Sequence, residues 1–389
     1  MVAKKRQVLT VKNIRNENVK NILRSVLKNH STTRSILAEE NNISLMTVKH
    51  VVDSLIHAGV LTEKDGACSE VGRKPKVLEF SEKYGNILCV NLNSRDEIRF
   101  LIYDIYESLL VEQRITLEDE VSYREEVRKA IKNIKACLRE IATETVGIAV
   151  FVPGAYNEKM DLINYDLIPD FKELRLRALF EKEFGIKNIR ILHDVFAAAR
   201  SEYDSLNPRM ESQFYFYCGY GVGGFFIYRD HNIAGAENMA GEVGKMLVSM
   251  NGDEEIYTTL EDVVSVAAVK KEMKKQGMHM DFEEMIASYQ AGDHTAVRML
   301  TPVLNTINKV LYNLLWVYNP TRIIVDSCKS SYSQVIAMQF QSFLKKMAND
   351  AIPIHVEVRE AKYNEYHTMR GCFSMSRDAW IAEIADSIQ

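Results

Sequence analysis

FYFYCGYGVGGFFIY, residues 214–228, is the stretch whose reading decides the fold. Aromatic and β-branched residues flank a glycine cluster, Gly219, Gly221, Gly223 and Gly224, so two strands joined by a tight turn are expected. Glycine lets a turn adopt positive φ and approach a ligand closely, which suits its amides to cradling phosphate. The stretch runs on into HNIAGAENMAGEVGKM (231–246), with small residues around Glu242, and TLEDVVS (259–265). A glycine turn alone is equally the mark of a structural hairpin.

Around this stretch, 389 residues are enough for two or three domains, and 47% hydrophobic with 26% charged residues is ordinary globular composition. No apolar run approaches the roughly 18 residues of a membrane helix, and MVAKKRQVLT at the N-terminus has no signal-peptide apolar region. Six scattered cysteines without a CxxC pair point to a reducing, cytoplasmic setting and away from a structural zinc site. Residues 1–80 hold 14 Lys and Arg against 8 Asp and Glu, a net of +6 within a chain of net −4. A basic segment on an acidic body suggests nucleic-acid contact through that segment.

Within those eighty residues, Val19, Ile22, Leu23, Val26 and Leu27 predict a helix over 16–29. Ser31 or Thr32 is a candidate cap for a short helix holding Ile36 and Leu37 and ending at Asn41-Asn42. Ser44 then caps a third helix, SLMTVKHVVDSLIHAG, with Val48, Val51, Val52 and Leu55 on its buried face and Gly59 as its stop. That is a helix-turn-helix pattern. Ser44, Met46, Thr47, Lys49 and His50 suit phosphate and base-edge contacts in a major groove. Two strand-like runs around a polar loop follow as a wing, with Arg73, Lys74 and Lys76 as its basic residues. A three-helix protein-interaction module is the bland alternative.

The central pattern resembles the ROK family of repressors, open reading frames and sugar kinases. Its G-x-G-x-G turn matches Gly219, Gly221 and Gly223, and its G-x-x-x-x-A-G-E-x-G-H matches Gly235, Ala240, Gly241, Glu242 and Gly244, with Lys245 in place of histidine. The basic Gly72-Arg73-Lys74-Pro75 resembles the family repressors' G-R-P element, with Lys74 inserted. The resemblance implies an α/β body of the actin-like ATPase type in two lobes, preceded by a winged helix-turn-helix domain. The expected limits are 1–80 for the DNA-binding domain, 81–195 for the first lobe with a closing helix at 375–389 packing back, and 196–374 for a second, dimerising lobe.

Along the body, strands are expected over 87–91, 98–106, 146–152, 189–192 and 354–358, and helices over 122–143 and 378–388. Residues 262–318 read as amphipathic helices with Leu311, Leu314, Leu315 and Trp316 as core. In the kinases of the family the first hairpin carries D-x-G-x-T; here the stretch is Asn91-Leu92-Asn93-Ser94-Arg95, with an amide for the aspartate and no glycine. His193-Asp194 matches N-D, whose aspartate is the kinases' general base, and Leu167 stands at a sugar-binding asparagine. Asp326-Ser327-Cys328 replaces a glycine pair that admits nucleotide, and 250–259 lacks the zinc cysteines.

The resemblance therefore implies a sugar or phosphosugar site of Asp194, Glu242, Glu261, His193 and Lys245, with no metal, no cofactor and no kinase activity. The expected function is a DNA-binding regulator of carbohydrate metabolism, a repressor by resemblance, acting on a double-stranded operator as a homodimer or tetramer without membrane contact. The alternatives are an active ATP-dependent sugar kinase fused to a DNA-binding domain, and a ligand-free dimeric DNA-binding protein.

Overall fold

The computed structural model describes residues 11–65, 76–94, 96–118, 121–164, 168–204, 211–229, 231–233, 235, 239–249, 257–348, 355–362 and 365–388. The chain divides into two compact units: Met1–Pro153 with Glu158–Leu192 and Cys372–Gln389, and Gly154–Asn157 with His193–Gly371. Among the described residues no helix is long and apolar enough to cross a membrane.

The first unit begins with α1 (Val11–Asn29), α2 (Arg34–Asn41) and α3 (Leu45–His57), then an antiparallel pair, β1 (Leu61–Asp65) and β2 (Lys76–Phe80). The apolar spacing does its expected work: Val19, Ile22, Leu23 and Val26 of α1 meet Leu37 of α2 and Val48, Val51, Val52 and Leu55 of α3 in one core. α1 starts five residues earlier than its apolar pattern. Thr33 caps α2, accepting from the Ile36 amide, where Ser31 or Thr32 was expected. Thr32 is taken by the wing instead: its backbone exchanges hydrogen bonds with Leu78 of β2 at 3.1 and 2.7 Å. Asn42 closes α2 in the left-handed conformation, and Ser44 caps α3 as expected.

Next come β3 (Tyr84–Asn91), β4 (Glu97–Asp104), β5 (Leu109–Thr116), α4 (Tyr123–Glu140), β6 (Glu144–Val152), the short β7 (Ala155–Asn157) and β8 (Leu162–Asn164), α5 (Leu176–Phe184) and β9 (Ile189–His193). A sheet of order β5-β4-β3-β6-β9 forms, antiparallel from β5 to β3 and parallel between β3 and β6. β3 sits centrally and is buried along nearly its whole length, which is why ILCV (87–90) reads as an uninterrupted apolar run. β5 was not expected; its residues are exposed or half-buried, so it lacks a strong apolar signal.

The second unit holds α6 (Asp194–Asp204), β10 (Ser212–Cys218), β11 (Val222–Tyr228), β12 (His231–Ile233), β13 (Leu247–Ser249), β14 (Tyr257–Thr259), α7 (Leu260–Val264), α8 (Val266–Lys275), α9 (Phe282–Gln290), α10 (His294–Tyr318), β15 (Arg322–Asp326), α11 (Ser330–Met347) and β16 (Glu357–Glu360), and leads into α12 (Glu365–Ser387). Its sheet runs β12-β11-β10-β15-β16, so the plan of three meandering strands followed by two crossover strands occurs once in each unit. Phe214, Phe216 and Cys218 point to a core shared with α7 to α11, while Tyr215 points to one shared with α6. With both faces covered, period-two alternation leaves no polar position, and FYFYC is the result. Leu311, Leu314 and Leu315 are buried, but Trp316 is 51% exposed. It lies about 100° around α10 from Leu315 and rests edge-on against Tyr312.

α12 begins at Glu365, well before the expected closing helix. Its last turns join the first unit: Trp380, Ile381, Ile384, Ala385 and Ile388 belong to the same core as α1, α2 and α3.

Candidate functional site

In the second unit, the first residues of β11 are the hub around which the candidate ligand segments gather. Gly241 lies so close to the Gly224 carbonyl that a Cβ there would overlap it, and Gly241 has φ +98. A Cβ on Gly244 would likewise overlap the Val222 carbonyl. The AGEVG segment is therefore laid against β11 backbone to backbone, fixed by a Gly224 amide donating to the Gly241 carbonyl at 2.7 Å. From another side, Val195 in the first turn of α6 approaches Gly223, and Phe196 packs on Phe225 with ring centres 4.2 Å apart.

That packing brings the expected ligand residues onto segments meeting at one strand end. His193 ends β9 and Asp194 opens α6; the Asp194 side chain lies outside the described part of the structure, as do Leu167 and residues 250–256. Glu242 stands ahead of a 3₁₀ turn, Val243–Lys245, and its side chain does not cap it. Glu261 lies in the first turn of α7, whose cap Thr259 accepts from the Asp262 amide. Glu261 is engaged by the fold: Oε2 accepts from the Val222 amide at 2.9 Å, and Oε1 takes Lys245 Nζ at 3.3 Å. Lys245, which stands where the resembled family carries a histidine, thus faces a carboxylate.

The glycine turn itself is filled. The Gly219 amide donates to the Gly221 carbonyl at 2.9 Å, the Val222 amide goes to Glu261, and the Tyr217 phenol folds across Gly219 where a Cβ would stand. The amides of Gly219 and Val222 are thus already engaged, and the Glu261 carboxylate beside them opposes a phosphate's charge. The matching turn of the first unit is similarly closed: Asn91 Oδ1 accepts from the Asn93 amide at 2.7 Å, and Ser94 Oγ from the amides of Asp96 and Glu97. At the end of β15, Asp326 accepts the buried Tyr215 hydroxyl at 2.5 Å and the Ser327 amide at 2.8 Å. Burial and the adjacent Asp326 charge push the Tyr215 phenol well above its usual range. Tyr217 and Tyr215 were missed by sequence reasoning, because nothing in a strand's pattern shows which aromatic folds onto a turn.

In the first unit, α3 offers one open face. Met46, Lys49, His50 and Asp53 are exposed along it, and Leu45 lies beside them. Ser44 is held as a cap, its Oγ accepting from the Thr47 amide at 3.1 Å and lying 2.9 Å from Thr47 Oγ1. Arg34 of α2 holds Asp53 at 2.8 Å and Glu63 at 2.9 Å. Lys76 pairs with Asp65 directly across the wing at 3.1 Å, both exposed. Arg73 and Lys74 lie outside the described residues.

The ROK family pattern matches residues 89–379. The chain belongs to the ROK family. Its winged helix lies ahead of the matched span. Among ROK relatives, the chain is 23% identical over 321 residues to the xylose repressor of Staphylococcus xylosus, spanning 80% of this chain and 82% of that one. It is also 23% identical over 381 residues to the putative xylose repressor of Caldicellulosiruptor sp. (strain Rt8B.4), spanning 91% and 94%. A solved ROK family transcriptional regulator, described as a homolog of the E. coli MLC protein, superposes with TM-score 0.77 at 16% identity over 96% of this chain and 98% of that one. The ROK hexokinase from Thermus thermophilus superposes with TM-score 0.62 at 18% identity, over 74% and 96%. At such identities the likeness in structure shows the fold, a two-lobed ROK body.

Proposed function

We propose that this chain is a sugar-responsive transcriptional repressor of carbohydrate metabolism, binding an operator through its winged helix. The carrying observation is an open α3 face on a capped helix-turn-helix, joined in one chain to a ROK body whose phosphate turns are closed by its own side chains. The relatives named as xylose repressors support the same reading. Met46, Thr47, Lys49 and His50 face the groove with Ser44 fixing their helix, and Arg73, Lys74 and Lys76 serve the wing. As a homodimer or tetramer in the cytoplasm, the protein presents paired winged helices to an approximately palindromic site.

The effector is a sugar or phosphosugar held by His193, Asp194, Glu242, Glu261 and Lys245. Carboxylates accept hydrogen bonds from sugar hydroxyls, and the Lys245 ammonium suits a phosphosugar. The Glu242 side chain makes no hydrogen bond or ion pair among the described residues, whereas Glu261 already serves the Val222 amide. The body binds sugar without phosphorylating it, because the Glu261 carboxylate and the Tyr217 phenol occupy the glycine turn where a nucleotide's phosphates would have to sit. The effector changes operator affinity only by its unequal affinity for the free and DNA-bound forms.

A thermal-shift panel of pentoses, hexoses, their phosphates and ATP with magnesium tests the reading. The expected result is a higher melting temperature with one sugar or phosphosugar, release of operator DNA by the same compound, and none with ATP. ADP formation in the presence of a sugar overturns the non-enzymatic reading. Silence to every sugar, with DNA binding intact, overturns the effector.

A further inference from the structure

α3 begins with two large apolar side chains left in water, Leu45 at 59% and Met46 at 64% exposure, while the same helix fully buries Val48, Val52 and Leu55. Their position is fixed before any partner arrives, because the Ser44 cap holds the first turn in helical geometry. Farther along the open face, the charges separate by function. Asp53 is drawn back to Arg34, while Lys49 and His50 stay exposed and form no ion pair among the described residues. The face is thus apolar at its first turn and basic at its second.

A helix-turn-helix docks with the N-terminal residues of its second helix at the base edges. Lysine and histidine behind that turn complement the phosphates, which commits the face to DNA. In the major groove, thymine is distinguished by a methyl group. Resting on the repressor reading above, we propose that Leu45 and Met46 are specificity-determining residues that read thymine methyl groups in the operator. Their exposed area is then buried against base methyls, a contact that cytosine in the same place does not supply.

The test enriches duplexes from a random-sequence pool with the full-length protein, then rebuilds the enriched site with deoxyuridine at each thymidine in turn. The expected result is a loss of about fourfold in affinity for each methyl that Leu45 or Met46 covers. Leu45→Ala and Met46→Ala should each erase the thymidine-over-deoxyuridine preference at one position while leaving the salt slope of binding unchanged. Both side chains are mainly in water, so the melting temperature should also stay put. A site indifferent to deoxyuridine throughout overturns the proposal, as does a preference that survives in both variants. A change of oligomeric state in the variants without DNA overturns it too, by placing the pair against a second copy. A pool showing no enrichment at all sinks the repressor reading itself.

Discussion

Trp380 on the closing helix lies 5.5 Å, ring centre to ring centre, from Phe80 at the end of the wing's second strand. Tyr84 flanks the same indole at 5.8 Å. The last turns of the chain therefore complete the core of its DNA-binding elements. Trp380→Ala removes a buried indole and should cost about 3–5 kcal/mol of stability. The chain's other tryptophan, Trp316, is half exposed, so urea unfolding followed by fluorescence in a Trp316→Phe background reads the Trp380 core. Truncation before Trp380 should abolish operator binding; full binding by such a chain means the winged helix folds without the last turns of α12.

Gly244→Ala places a methyl against the Val222 carbonyl. Overpacking of this kind costs about 1–3 kcal/mol, and here it also pushes Glu242 away from β11. Both melting temperature and effector response should fall. A stable Gly244→Ala protein with normal response shows that the AGEVG segment need not lie on β11.

Lys245 and Glu261 form one contact with unequal consequences. The pair is exposed on the lysine side, 66% against 33%, so Lys245→Met should change stability by less than about 1 kcal/mol. Glu261→Ala leaves the Val222 amide without its acceptor and should cost about 1–3 kcal/mol. Thermal unfolding of the two variants separates them; equal losses remove the amide-capping role.

Lys49→Ala should lower the slope of log affinity against log salt by about one while leaving the melting temperature unchanged. Anisotropy titrations at several salt concentrations measure it. An unchanged slope takes Lys49 off the phosphate backbone.

The α3 cap, the apolar stripes of the first helices and the central strand were legible because each depends on residues within a few positions. Ser44 capping α3, the buried face of that helix, and the strands around the glycine turn all follow this rule. Trp316 was misplaced because helical spacing gives only the width of an apolar stripe. The packing of α10 against its neighbours decides where the stripe ends. Thr32 was misjudged as a cap because its partner, Leu78, lies in the wing.

By itself the sequence determined a winged helix on an α/β body, and its resemblance to the ROK family marked the positions that depart from the kinases' motifs. Only the tertiary structure decided what became of the altered sites. Glu261 reaches the Val222 amide across 39 residues and Tyr215 reaches Asp326 across 111, while α12 completes a core begun at Val19. Local pattern fixes which residues become buried or capped. A carboxylate's partner is set by which distant backbone the packed core brings within hydrogen-bonding range.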